Sequence, residues 1–153
     1  MQKRHTDRES YFGEQSQTSK NYYIPYIKEV IGHIPDKVLE VGCGEGGNLL
    51  PFAKAGCRVM GVDIDAMRIE QARTFFTQRH QQGQFIATDI FQLEDKATNF
   101  PQILLHDVIE HIRDKERFLS GLQKHLSADG AIFVGIPARQ MPFGSHQQLA
   151  PSR

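Results

Sequence analysis

The spacing of apolar residues changes near residue 36. Before it the period is helical, with Ile24, Ile27, Val30 and Ile31 on one face. Pro25 fits the first turn of that helix, where its missing N–H costs nothing, and Pro35-Asp36 breaks it. Beyond the break, short apolar runs alternate with amphipathic stretches. Residues 38–41, 58–62, 84–87, 103–105 and 131–136 read as five strands, and helices are predicted near 47–55, 65–80 and 114–126. The second of these helices places Ala66, Ile69, Ala72 and Phe76 on one face behind an Asp65 cap. The third carries Phe118, Leu119, Leu122 and Leu126 behind Asp114. Regular strand–helix alternation with right-handed crossovers predicts an α/β fold, a doubly wound and mostly parallel sheet.

Residues 1–20 are polar, with Tyr11 and Phe12 their only bulky groups, and read as a flexible arm able to order over a ligand. The folded domain is expected over 21–140, and 141–153 as a loop or tail. The chain of 153 residues is the size of one ordinary domain. Eighteen basic residues balance eighteen acidic ones, so no global field steers it to nucleic acid or to an anionic membrane. The charged N-terminus has no apolar run behind it and no membrane-length apolar stretch occurs, so a cytoplasmic protein without a signal peptide is expected. Its two cysteines, Cys43 and Cys57, read as reduced thiols.

The most informative segment is Val38-Leu39-Glu40-Val41-Gly42-Cys43-Gly44-Glu45-Gly46-Gly47-Asn48. A strand ends, glycines follow, and a helix starts, so a ligand can approach the backbone closely. Gly42, Gly44 and Gly47 alone also satisfy the dinucleotide fingerprint. Three carboxylates narrow the choice. Glu40 precedes the turn and suits a ligand ammonium, while Asp63 ends the second strand about 20 residues on, where ribose hydroxyls are received. Asp89 follows the third strand, where it can accept from an adenine amino group. Glu40 and Glu45 beside the turn would repel a pyrophosphate, whereas a cationic sulfonium with an amino group suits them.

These residues resemble the class I S-adenosylmethionine-dependent methyltransferases. Residues 40–46 are similar to that family's first motif, Asp63 to its acid after the second strand, and Asp89-Ile90 to its adenine position. Residues 106–111, His-Asp-Val-Ile-Glu-His, resemble the fourth-strand motif, and 126–130 the turn before the fifth strand. The resemblance covers roughly 24–137. It implies methyl transfer from S-adenosylmethionine, with S-adenosylhomocysteine as product. It places Glu40, Gly42, Cys43, Gly44, Gly46, Asn48, Asp63, Ile64, Asp89, Ile90, His106 and Asp107 around the cofactor. A nicotinamide-dependent oxidoreductase is the competing cofactor class.

Methyl transfer needs alignment of donor and acceptor and exclusion of water, with a base only for an acceptor that must lose a proton. His111 and His146 are the candidate catalytic histidines; His5, His33, His80 and His125 read as surface residues. Asp107, Glu110 and His111, at i, i+3 and i+4, resemble the metal-holding cluster of ubiquinone-biosynthesis O-methyltransferases, but Asp107 shortens the reach. The preferred reading is that Glu110 and His111 wall the pocket or make helix hydrogen bonds, with no metal. Balanced charge favours a small-molecule acceptor. The family sheet has seven strands, and no apolar run after Ile136 supplies the last two. The fifth strand is therefore expected to be an edge, covered by self-association or by 141–148, and a truncated, non-catalytic binding module is the alternative to an enzyme.

Overall fold

The computed structural model describes residues 7–93 and 96–136. Five parallel strands form one sheet: β1 (Lys37–Val41), β2 (Arg58–Asp63), β3 (Gln84–Ala87), β4 (Phe100–His106) and β5 (Leu126–Gly135). Their order is β3-β2-β1-β4-β5, so the chain reverses its direction of travel between β1 and β4. That crevice is where open α/β sheets bind ligands, and the glycine turn after β1 and the segment after β4 flank it.

The strand alternation builds two cores. Val38, Val59, Phe85 and Leu104 face one side with Phe12, Ile27, Phe52, Ile69 and Phe76. Leu39, Met60, Val62, Ile103 and Leu105 face the other with Leu122, Phe118 and Leu119. Helices therefore cover both faces, as the doubly wound pattern predicts. Between β4 and β5 the register slips: Phe100 pairs with Leu126, but Gln102 pairs with Ala131. The turn expected at 126–130 is thus an excursion inside a longer strand. Among the described residues β5 pairs only with β4, and Val134 and Ile136 are exposed.

The N-terminal region differs most from expectation. Residues 8–20 do not lie loose; helix α1 (Arg8–Thr18) starts behind the Asp7 side chain, which accepts from the Ser10 N–H. It runs through a π-helical turn (Ser19–Tyr23) directly into α2 (Ile24–Ile31). The π turn lies just before Pro25, which has no N–H to continue the normal ladder. Phe12 is fully buried on α4 (Ala66–Gln78), 4.9 Å from the Phe75 ring centroid and 6.4 Å from Phe76. The Ser19 hydroxyl donates to the Asn48 carbonyl at 2.7 Å. Tertiary contacts of this kind hold a helix that its own polar sequence would not.

The remaining helices are α3 (Leu50–Lys54) and α5 (Lys115–Leu122). Asp65 caps α4 and Asp114 caps α5, as expected. Two expectations fail. Val30 is exposed, because only Ile27 and Ile31, one turn apart, point inward with Ile24. His125 is fully buried: the 3-10 turn Gln123–His125 turns it in beside Leu122, and its Nδ1 pairs with the Ala97 carbonyl. No helix among the described residues is long and apolar enough to cross a membrane.

If α1 is part of the core, Phe12→Ala removes a buried ring and should cost about 3–5 kcal/mol of stability. Urea unfolding measures it; a loss near zero would show that the helix does not pack on α4.

Candidate cofactor and acceptor site

A cleft of about 1260 Å³ opens at the C-terminal ends of β1, β2 and β4, roofed by α1. Its floor is the glycine turn. The Gly42 and Cys43 N–H groups donate to the Val62 carbonyl at 2.8 and 3.1 Å, which turns the chain back across β2. Gly44 has a φ of +54°, a left-handed backbone in which a side chain is strained, and the Arg68 guanidinium occupies the space beside it. Its N–H donates to Asp63 Oδ2 at 2.8 Å, while the Asp65 N–H donates to Asp63 Oδ1 at 2.9 Å. One carboxylate therefore sets the turn and the entry to α4 together. Each of its oxygens keeps a lone pair for a ligand hydroxyl.

Glu45 is the buried counterpart. Arg68 grips it at both oxygens, 3.2 Å from Nε and 2.9 Å from Nη2, and Arg8 of α1 joins from the other side. Burial acts to raise its pKa, but the two guanidinium groups outweigh burial and hold it below the usual carboxylate range. Both arginines are thereby hydrogen-bonded to one carboxylate, and Asp63 lies close enough to Arg68 to offset the charge that Glu45 leaves unbalanced.

Glu40 has no such partner. It is 1% exposed, and burial, with Asp63 and Asp107 nearby, pushes its pKa up to about 8 against a hydrogen bond from Asn48 and the Arg68 charge. Asn48 Nδ2 donates to Oε2 at 2.9 Å, but Glu40 Oε1 and Asn48 Oδ1 are both buried without a hydrogen bond. Two adjacent unpartnered acceptors fit a group with several N–H donors, such as an ammonium.

The expected residues separate by position. Gly42, Cys43, Asn48, Asp63, Ile64, His106, Asp107 and His111 line the cleft. Glu40, Gly44 and Gly46 are not among the residues that line it. Asp89 and Ile90 stand outside the lining: Asp89 is exposed and caps a short 3-10 turn by accepting from the Phe91 N–H at 2.9 Å, and Ile90 is buried in the opposite core. His111 is at the rim with its side chain 77% exposed, and His146 falls outside the described residues. Burial raises the Cys43 thiol well above its usual pKa, so it stays a neutral wall.

The helical face expected for Asp107, Glu110 and His111 does not form. Asp107 turns left-handed at φ 56° and only Ile109–His111 makes a 3-10 turn. Among the described residues no three His, Cys, Asp or Glu side chains are grouped to hold a metal. Sequence reasoning missed Tyr23, Arg8 and Arg68, which all line the cleft. Arg68 lies in the first turn of a helix whose start was legible; Tyr23 and Arg8 carried no local signal.

The pKa of Glu40 has a consequence for stability. A carboxyl that folds with a raised pKa stabilises the protein fully below its unfolded value of 4.5 and loses that contribution as pH rises through about 8. Glu40→Gln should therefore gain stability relative to the parent by a few kcal/mol between pH 5 and 8.5. Urea titrations across that window check it; a constant difference would show that Glu40 ionises normally.

Comparison with known proteins agrees with this geometry. Residues 39–132, more than half the chain, match a family described as "Methyltransferase domain". The chain is 36% identical over 98 residues to "Ubiquinone biosynthesis O-methyltransferase" of Bartonella quintana, covering 64% of this chain and 40% of that protein. It is 32% identical over 105 residues to the protein of the same name from Brucella ovis, covering 69% and 42%. It thus spans about two fifths of these relatives' length. Among solved structures, PKMT2 from Rickettsia typhi in complex with AdoHcy superposes with a TM-score of 0.64 at 28% identity, covering 76% of this chain and 25% of that one. The plantazolicin methyltransferase BpumL, in complex with SAH, shares the fold with a TM-score of 0.68 at 24% identity, over 84% and 48%. The glycine turn, the strand order and these matches together show that the chain belongs to the methyltransferase-domain family, in its class I, S-adenosylmethionine-dependent form.

Proposed function

We propose that this chain forms the cofactor-binding part of an enzyme that methylates a hydroxyl group of a small molecule. The observation that carries the cofactor half is the Glu40–Asn48 pair, buried acceptors without donors, of which Asn48 lines the cleft while Arg8 and Arg68 are hydrogen-bonded to Glu45. The O-methyltransferase relatives and the balanced net charge support the acceptor half.

When bound, S-adenosylmethionine supplies a methyl group on a positively charged sulfur. The residues of this chain do the positioning. Glu40 Oε1 and Asn48 Oδ1 accept from the ammonium, which draws Glu40 into its ionised form. Asp63 accepts from ribose hydroxyls at the end of β2, and exposed Ile64 offers an apolar surface beside it. In this reading Asp89 and Ile90, next along the sheet edge, take the adenine end. By the same reading His106 and Asp107, which line the cleft at the end of β4, face the methionine end of the cofactor, and α1 covers the cleft against water.

Titration calorimetry with S-adenosylhomocysteine tests the cofactor half. Binding near pH 7 should release a proton from Glu40, seen as a heat that varies with the buffer's ionisation enthalpy, and Glu40→Gln should abolish that release. Asp63→Ala should weaken binding by about 1–3 kcal/mol. NAD binding in place of S-adenosylhomocysteine would overturn the cofactor reading. Transfer of tritiated methyl to a small-molecule extract tests the enzyme half; cofactor binding with no incorporation would leave a binding module.

A further inference from the structure

The side of the cleft opposite the glycine turn holds a contact that the cofactor does not explain. Tyr23, presented by the π-helical turn, places its hydroxyl 2.7 Å from His106 Nδ1 at the end of β4. The other ring nitrogen, Nε2, lies 3.3 Å from Asp107 Oδ2. A carboxylate only accepts, so it favours the proton on Nε2 and leaves Nδ1 with its lone pair toward the Tyr23 O–H. The pair also has a space kept for it. A Cβ at Gly135, the last residue of β5, would stand 3.1 Å from His106 Nδ1 and 3.4 Å from the Tyr23 hydroxyl. Gly135 has no positive φ, so at this position glycine serves clearance rather than backbone geometry.

We propose that Tyr23 and His106 form a proton-accepting dyad for the methyl acceptor, with Asp107 as the group that orients the imidazole. The proposal rests on the reading of a hydroxyl acceptor given above. As the acceptor oxygen forms its bond to the methyl carbon, the carbon–sulfur bond breaks and its electron pair stays on sulfur. The acceptor's proton passes to the Tyr23 oxygen while Tyr23 gives its own proton to His106 Nδ1. The product is an ether, a neutral thioether and an imidazolium, which then returns its proton to water.

The surroundings suit each state. Burial, with Asp107, Glu40 and Tyr11 facing it, pushes Tyr23 up to about 12, so it stays a neutral donor before the reaction. Burial lowers His106, which keeps it a free base, while Asp107 and Glu110 favour the cation once it forms. Tyr23 packs at 5.0 Å from the Phe133 ring centroid, which fixes its orientation from the β5 side.

The test has a readout independent of turnover. Long-range proton–nitrogen correlation spectra of the nitrogen-15-labelled full chain report the His106 tautomer and its titration. The dyad requires the Nε2–H tautomer in the parent. Tyr23→Phe, which removes a donor to the neutral ring, should raise the His106 pKa, and Gly135→Ala should perturb the same resonance. An Nδ1–H tautomer, or a titration unmoved by Tyr23→Phe, overturns the proposal. The second readout is methyl transfer to catechol. Tyr23→Phe should lower kcat roughly 100-fold with KM for S-adenosylmethionine unchanged, and His106→Gln should lower kcat at least as far. A rise in KM with kcat intact would mark a structural role and overturn the proton-accepting one. Failure of the parent to bind S-adenosylhomocysteine would instead strike the proposed function, while the tautomer result still judges the dyad.

Discussion

A buried carboxylate must find partners, and Glu45, with no exposed side-chain surface, finds two that come from distant parts of the chain. Arg8 opens the N-terminal helix, Arg68 lies in the first turns of α4, and Glu45 itself sits in the glycine turn. The three pieces that surround the cleft are therefore drawn to one point. Arg68 passes over Gly44 to reach Glu45, beside a left-handed backbone that already favours glycine. Asp63 completes the arrangement from below by holding Gly44 and Asp65 through their backbone N–H groups. Roof, floor and wall of the cleft are set by two carboxylates.

That arrangement decides the charge the cleft presents. The cations nearest the glycine turn are engaged, and Glu40, Asp63 and Asp107 remain with unfilled accepting capacity or close contact with the opening. A pyrophosphate would meet the Asp63 and Asp107 carboxylates there, while Arg8 and Arg68 are already hydrogen-bonded to Glu45. A ligand bearing a sulfonium and an ammonium meets complementary charge. The glycine pattern is shared by both cofactor classes; the pairing of its neighbours separates them.

Much of this was legible in the sequence where the signal is local. Short continuous apolar runs mark the central strands because each is buried on both faces of the sheet, and Asp65 and Asp114 announce their helices by capping chemistry that acts over three residues. The glycine turn, Glu40 and Asp63 were readable for the same reason. Helix α1 was not, because its sequence is polar with Phe12 its one buried side chain, and its support comes from Glu45, Asn48 and the rings of α4. The Tyr23–His106 contact joins positions 83 apart, so neither segment hints at it. His125 misled because a histidine among polar neighbours resembles a surface residue until a 3-10 turn carries it inward beside Leu122.

The π-helical turn between α1 and α2 makes the N-terminal segment a single rod, clamped by Phe12 at one end and Ile27 at the other. Each residue added to or taken from such a rod rotates everything beyond it by about 100°. A deletion between Phe12 and Tyr23 would swing the tyrosine off His106 even if every remaining side chain were kept, and an insertion would do the same in the other sense. Substitutions on the outward side of this rod leave its geometry intact. The number of residues between the two clamps, together with their identity, therefore sets where Tyr23 stands.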